Sequence, residues 1–484
     1  MKNIIVIIGS GFGGIAAALR AKKKGFEVII IERNKNIGGK AQIFKDNNFF
    51  FDTGPTIITA PYLFEELFNI FGKKLKTYVK ILELKNWYKF YFFDNTSFKY
   101  CANITKTKNN IKNFSQNDLK NYKHLLFISQ SFFDICFKIF SNKPFNNFYQ
   151  MIKCIPIFIN LKCYKSYFYL INHYLKNNKL KQIFSIYPLL IGGNPYKISC
   201  LYSLILYLER KGGIHFPKGG IGKLIQNLEL LMLEEGIKIY TGVCVKKIIT
   251  HKKKAISILL NNNHYINSKY IISNIEPIHL YKNILKKDLN IKKNLSNLEY
   301  SIGLFILYFG TNYFYSKISH HTIFFNKYYT KSIKNIFNNT CFSKTNICIY
   351  LHHPNQTDHF CKHSTFYALI PVPNLNLYNN WSRYESETFV QSIITILDSN
   401  LLPKLKKNII TCFYITPTFF KEKYHSIYGS GFSISPNLNQ IAWFRFHNKS
   451  ENIKNLYLVG AGTHPGAGIP GVLLSAKIID KLII

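Results

Sequence analysis

Residues 2–40 read KNIIVIIGSGFGGIAAALRAKKKGFEVIIIERNKNIGGK, and this stretch admits two readings that put the protein in different classes. A lysine followed by an apolar run from Ile4 to Leu19 has the outline of a secretory signal peptide. The same letters spell Gly9-x-Gly11-x-x-Gly14 between an Ile/Val run and an alanine-rich stretch, the outline of a dinucleotide-binding strand, turn and helix. A signal peptide ends at a cleavage site and passes into an unrelated chain. Here Lys22-Lys23-Lys24-Gly25 leads instead into a second apolar run, Val28 to Ile31, closed by Glu32-Arg33. Strand, helix and parallel strand within about thirty residues make one βαβ unit. Gly9 then permits the tight turn, Gly11 the approach of a pyrophosphate to the backbone, and Gly14 close helix–strand packing. A helix starting near Phe12 points its first amides at the phosphates. Glu32, eighteen residues past Gly14, stands where an acid accepts ribose hydroxyls. Gly9, Gly11, Gly13, Gly14, Glu32 and Arg33 are therefore candidate cofactor-binding residues. The signal-peptide reading loses, and the glycines make the run a poor membrane span.

The 484 residues allow more than one domain, and an apolar fraction of 47% with 16% aromatics fits a folded chain. A formal charge of +39 would ordinarily point to nucleic acid or an anionic membrane. The basic residues are nearly all Lys, spread along the whole length, with Arg only at positions 20, 33, 210, 383 and 445. A nucleic-acid binder concentrates its charge and uses Arg forks, so no nucleic-acid partner is expected. The same charge favours adhesion to anionic lipid. The ten cysteines form no C-x-x-C pair, so neither a metal site nor a disulfide framework is expected, and reduced buried thiols of a cytoplasmic protein are.

Further along, Tyr62 to Phe71 reads as a helix, and Lys80 to Tyr100 as exposed strands rich in Tyr, Phe and Lys. From about Asn117 to Phe184 the pattern turns helical with clustered aromatics. No apolar run there reaches eighteen residues, so no transmembrane helix is expected. Amphipathic helices lying in a membrane interface and buried core helices are equally good readings of that stretch. Gly212 to Ile248 supplies a glycine-rich turn, a helix from Leu224 to Glu234 and strands at Ile237–Tyr240 and Val243–Ile248, as in a return to the dinucleotide domain. The C-terminal NLYLVGAGTHPGAGIPGVLLSAKIIDKLI is a strand, a Gly/Pro turn and a final helix. Its turn must approach a flat ring, and amides at the start of the helix can stabilise negative charge there. His464 reads as a loop-shaping side chain rather than a catalytic one.

Gly38-Gly39-Lys40 followed by Asp52-Thr53-Gly54-Pro55 resembles the FAD-binding half of the amine-oxidase and carotenoid-desaturase flavoproteins. The C-terminal turn, FSISPNLNQIAWFRFHNKS before it, and FSIYPLLIGGNPYKISCLYSLILYLERKGGIHFPKGG in the middle resemble bacterial-type phytoene desaturases, leaning to the lycopene-forming branch. The resemblance spans essentially the whole chain. It implies an α/β fold: a Rossmann-like FAD-binding domain of the amine-oxidase type, an inserted mixed-sheet substrate domain and a helical, membrane-facing region. Residues 1–80, 212–275 and 431–484 would form the FAD-binding domain, 81–211 the helical substrate region and 276–430 the substrate domain. It also implies FAD as sole redox cofactor, held by Gly39, Lys40, Gly54, Pro55, Thr56, Val245 (main chain to adenine), Gly460, Ala461, Gly462, Gly471 and Val472 beside the residues above. The implied activity is desaturation of a C40 carotene, phytoene, taken from the membrane, with quinone or oxygen accepting the electrons. The implied location is peripheral, at the cytoplasmic face of the inner membrane. Relatives can carry an acidic and an Arg side chain on the helix matching Phe148 to Cys154; here Gln150 and Lys153 stand there, so no catalytic residue is assigned. A sister carotenoid desaturase or isomerase of diapophytoene or neurosporene type, and a non-catalytic membrane-associated flavoprotein relic, are the alternatives.

Overall fold

A computed structural model describes residues 3–136, 143–145, 148–285, 297–338, 342–354 and 363–483, the side chain of Gln150 apart. Ile4–Ile8 and Glu27–Glu32 pair in parallel, joined by the helix Phe12–Lys23. They sit inside a five-stranded parallel sheet in the order Leu456–Leu458, Tyr270–Ser273, Ile4–Ile8, Glu27–Glu32, Lys238–Thr241. The beginning, middle and end of the chain thus meet edge to edge. Continuous Ile/Val runs suit such strands because both faces are covered. Ile5, Ile7, Val28 and Ile30 face the helices, while Ile4, Val6, Ile29 and Ile31 face the antiparallel strands Val245–His251 and Lys254–Leu260.

The final helix, Ile469–Leu482, lies beside Phe12–Lys23, and a small ion-pair cluster locks the two. Arg20, buried in the first helix, reaches Glu66 at 2.9 Å and Asp480 at 3.7 Å, and Lys477 reaches Glu66 at 2.8 Å. Glu66 belongs to the helix Tyr62–Asn69, so three segments far apart in sequence share one charge network.

A second, seven-stranded mixed sheet runs in the order Ile409–Ile415, Gly303–Thr311, Ser364–Val372, Ile349–His352, His321–Phe325, Asn86–Phe92, Ser97–Cys101. All pairings are antiparallel except that between His321–Phe325 and Asn86–Phe92. Every residue of Gly303–Thr311 is buried, and period-two alternation sorts its faces. Phe305, Leu307 and Phe309 pack with Phe389, Ile393 and Leu397 of the helix Arg383–Asn400; Leu304 and Ile306 look towards the first sheet.

The strands around Lys80 to Tyr100 are not exposed as the sequence pattern implied. Trp87, Tyr88, Phe90, Phe92, Phe98 and Tyr100 are all buried. Helices Ile104–Phe114 and Asn178–Phe184 cover that face, with the Phe114 ring tilted against Phe92 and edge-on to Phe98, and Phe184 edge-on to Tyr100. Helical structure therefore begins at Ile104, capped by Asn103, earlier than expected. The glycine-rich turn after the insertion also starts its helix early, at Gly220, because the Asp52 carboxylate accepts the Ile221 amide at 2.8 Å. Burial differs from one aromatic helix to the next. Gln116–Ile135 buries Tyr122, Leu125, Phe132 and Phe133, whereas Ile155–Asn160 buries none of its residues. Among the described residues, no helix is long and apolar enough to cross a membrane. Cys163, Cys200 and Cys348 are free thiols whose pKa burial pushes up to about 12.

Candidate functional site: a flavin cradle opening into an apolar cavity

One cavity of about 660 Å³ runs along the junction of the two sheets. Gly9, Gly11, Gly13, Glu32, Arg33, Gly39, Lys40, Gly54, Pro55, Thr56, Val245, Gly460, Ala461, Gly462, Gly471 and Val472 all line it. Gly14 does not; a Cβ there would come 2.0 Å from the Gly9 carbonyl oxygen, so it packs helix on strand behind the cradle.

The cradle is built from three turns pressed together. The Gly38 amide donates to the Ser10 carbonyl at 2.9 Å, and a Cβ on Gly39 would stand 3.1 Å from the Gly11 Cα. The C-terminal turn arrives from the other side, with the Gly460 amide donating to Ser475 Oγ at 3.0 Å. Between them sits Asn274, at the end of Tyr270–Ser273. Cβ atoms on Gly11, Gly13 and Gly460 would fall 2.8, 2.6 and 2.8 Å from its side-chain amide. The glycines accordingly leave backbone exposed to the cavity, the condition for a diphosphate to approach.

Glu32 ends its strand with all its acceptor capacity in use. Oε2 accepts from the Ser10 amide and hydroxyl at 2.9 and 2.7 Å, and Oε1 from the Asn34 amide and side chain at 2.8 and 2.9 Å. The two backbone donors fix the carboxylate; the two side-chain donors can rotate aside for ribose hydroxyls. Arg33 lines the cavity but is tied to the end of the helix Pro417–Tyr424, reaching His425 Nε2 at 2.5 Å and the Glu422 carbonyl at 2.9 Å.

Lys40 donates to the Gly431 carbonyl at 2.8 Å. Burial pushes its pKa down to about 8, opposed by the nearby Glu276. Glu276 is held above the usual carboxylate range by burial, opposed by a hydrogen bond from Ser433 at 2.6 Å and by Lys40. A cation poised this way, beside two glycine turns, fits the phosphate charge of a dinucleotide.

The ring-facing turn is braced by Arg445, a buried guanidinium that donates to the carbonyls of Ala461 at 2.6 Å and Thr463 at 3.1 Å. Sequence reading missed both Arg445 and Asn274. Arg445 lies inside a quoted segment as one of few Arg in the chain; Asn274 offered no signal beyond its place after a strand. His464 lines the cavity, with its carbonyl held by Asn448 at 2.8 Å and its ring against Phe145.

Beyond the cradle the lining turns apolar. Leu189, Ile191, Leu201, Ile205 and Leu208 face Ile302, Leu304, Ile306, Ile323 and Phe325 across it. Thr56 closes one wall, its hydroxyl 3.1 Å from the hydroxyls of both Tyr350 and Tyr367. Glu209 is the carboxyl on this half; burial pushes its pKa up to about 8, and Tyr88 donates to it at 2.7 Å. Lys153 is exposed and lies off the cavity, and the side chain of Gln150 lies outside the described residues.

Residues 12–303 match the family model for flavin containing amine oxidoreductases. A phytoene desaturase (lycopene-forming) of Pantoea ananas is 35% identical over 99% of this chain and 98% of its own. A phytoene desaturase (neurosporene-forming) of Rhodobacter capsulatus is 30% identical over 99% of this chain and 93% of its own. Among solved structures, a redesigned putrescine oxidase superposes with a TM-score of 0.68 at 12% identity, covering 99% of this chain and 98% of that one, a likeness of fold. The cofactor is FAD, and the glycine cradle, Glu32 and Lys40 fit it. The chain belongs to the phytoene desaturase family of flavin-containing amine oxidoreductases.

Proposed function

We propose that this protein is an FAD-dependent phytoene desaturase that introduces conjugated double bonds into a C40 carotene, forming lycopene. The observation that carries the reading is the continuity of one cavity from the glycine cradle into a long aliphatic lining. A linear hydrocarbon gains about 0.8 kcal/mol per methylene on leaving water, so such a lining selects it without polar contacts. FAD, when bound, supplies the hydride acceptor. The protein's part is to align the chain against the cradle and exclude water.

Such a substrate is taken from a bilayer, and an exposed surface near the cavity has the matching chemistry. Phe158 lines the cavity, while its neighbours Ile155 and Ile159 are exposed, together with Phe148, Tyr149, Ile152, Tyr164 and Tyr169. Lysines lie over these rings, Lys153 at 4.8 Å from Tyr149 and Lys165 at 4.9 Å from Tyr169. Aromatic and aliphatic side chains interleaved with Lys suit the interface of an anionic membrane. The protein then docks peripherally on the cytoplasmic face of the inner membrane, and electrons leave to quinone or oxygen. Expression in a phytoene-accumulating host tests the reading: red lycopene supports it, shorter yellow chromophores assign the neurosporene-forming branch, and unchanged phytoene rejects desaturation.

A further inference from the structure

Sequence spacing gave no reason to expect a metal, because the ligands come from two strands rather than one motif. His321 begins His321–Phe325, His352 ends Ile349–His352, and antiparallel register pairs the two directly. His320 adds a third imidazole. All three are buried, at 0, 0 and 2% exposure, and one ring nitrogen from each lies within 4.8 Å of the others. Nδ1 of His320 stands 3.1 Å from Nε2 of His321. Two nitrogens sharing a tetrahedral zinc ion at its usual bond length are separated by about 3.3 Å. Nε2 of His320 and both ring nitrogens of His352 have no hydrogen-bond partner. Buried polar atoms are rarely left so: each neutral imidazole carries one N–H and one lone pair, the His320–His321 contact pairs one of each, and the cluster keeps lone pairs free for a ligand-accepting ion.

We propose that His320, His321 and His352 bind a divalent first-row transition ion of the zinc class. An all-imidazole set disfavours magnesium and calcium, which take oxygen ligands, and suits zinc, nickel, copper or iron. The site lies one side-chain layer behind the cavity wall: the His321 ring is 5.7 Å from Tyr350 and the His352 ring 5.0 Å from Tyr367, the two tyrosines that hold Thr56. The Tyr88 ring, 5.9 Å from His321, links the cluster to the Glu209 carboxyl, whose ionisation would offset the added charge. The ion's role is to pin two strands and fix the polar wall of the substrate cavity.

The test is metal analysis of the full-length, flavin-loaded protein from zinc-supplemented medium, desalted into metal-free buffer. The proposal predicts about one zinc per chain, a content at least about tenfold lower in His320→Gln and His352→Gln, and an unchanged content in His353→Gln. Wild-type protein from zinc-depleted medium should also gain thermal stability when refolded with zinc rather than with magnesium. Wild-type protein holding less than about a tenth of an equivalent, with no zinc-dependent stabilisation, overturns the proposal whatever the variants do. The three rings are then a neutral cluster, with His320 and His352 packed against Phe216.

Discussion

Asn274 Oδ1 lies 2.6 Å from where a Cβ on Gly13 would stand, so the two residues divide one space between the first helix and the last strand. The same oxygen lies 2.8 Å from a Cβ on Gly460. The cradle is thus closed by a single side chain that touches both halves of it.

Gly13→Ala should overpack this point at a cost of about 1–3 kcal/mol and weaken FAD binding at least tenfold. Adding Asn274→Gly removes the obstructing amide and should recover part of that loss. Flavin retained on purification, read from absorbance, together with FAD titration of the apoprotein, measures both. Additive losses in the double variant would contradict the shared-space account.

Arg445→Met removes two short hydrogen bonds to Ala461 and Thr463 and leaves those carbonyls buried without their donor. The expected destabilisation is about 2–5 kcal/mol, seen as a lowered Tm. Arg445→Lys should restore little of it, since one ammonium cannot span both carbonyls in the guanidinium's geometry.

Lys40 makes FAD binding dependent on pH. Its pKa in the protein is about 8, so it loses its charge, and its attraction for phosphate, as pH rises through that value. FAD affinity should fall above pH 8, approaching about tenfold per pH unit if binding requires the ammonium. The folding contribution has the opposite sign. Between pH 8 and the ordinary value of 10.5 the unfolded chain binds more protons, so apoprotein stability gains from this residue as pH rises. Lys40→Met should remove both slopes, which titration of FAD binding and denaturant melts across pH 7 to 10 would read.

Ile155→Asp with Ile159→Asp should lower co-sedimentation with anionic liposomes at least tenfold, by about 1.5–3 kcal/mol per lost apolar side chain. Tm should hold, because no residue of Ile155–Asn160 is buried. Liposome binding unchanged by the pair would place the docking surface elsewhere.

The N-terminal βαβ unit and the C-terminal turn were legible because glycine spacing and apolar runs are local properties. Glu32 and Lys40, picked out by those motifs, both line the cavity. Asn274 and Arg445 were not legible, since Asn274 fills a space between Gly13 and Gly460, at opposite ends of the chain, and Arg445 donates to a turn 16 to 18 residues further on. His321 and His352 meet only through strand register. The strands near Tyr88 were misread as exposed because Lys89 and Lys99 mark one face, while the covering helices hide the aromatic one.

In the proposed function one cavity brings a linear carotene to a flavin held by these turns. Phytoene-containing liposomes incubated with the FAD-loaded protein and a quinone test it most directly. The account predicts conversion of the colourless phytoene spectrum to that of lycopene. Unchanged phytoene with no new chromophore, with FAD shown to be bound and the protein on the liposomes, would contradict it.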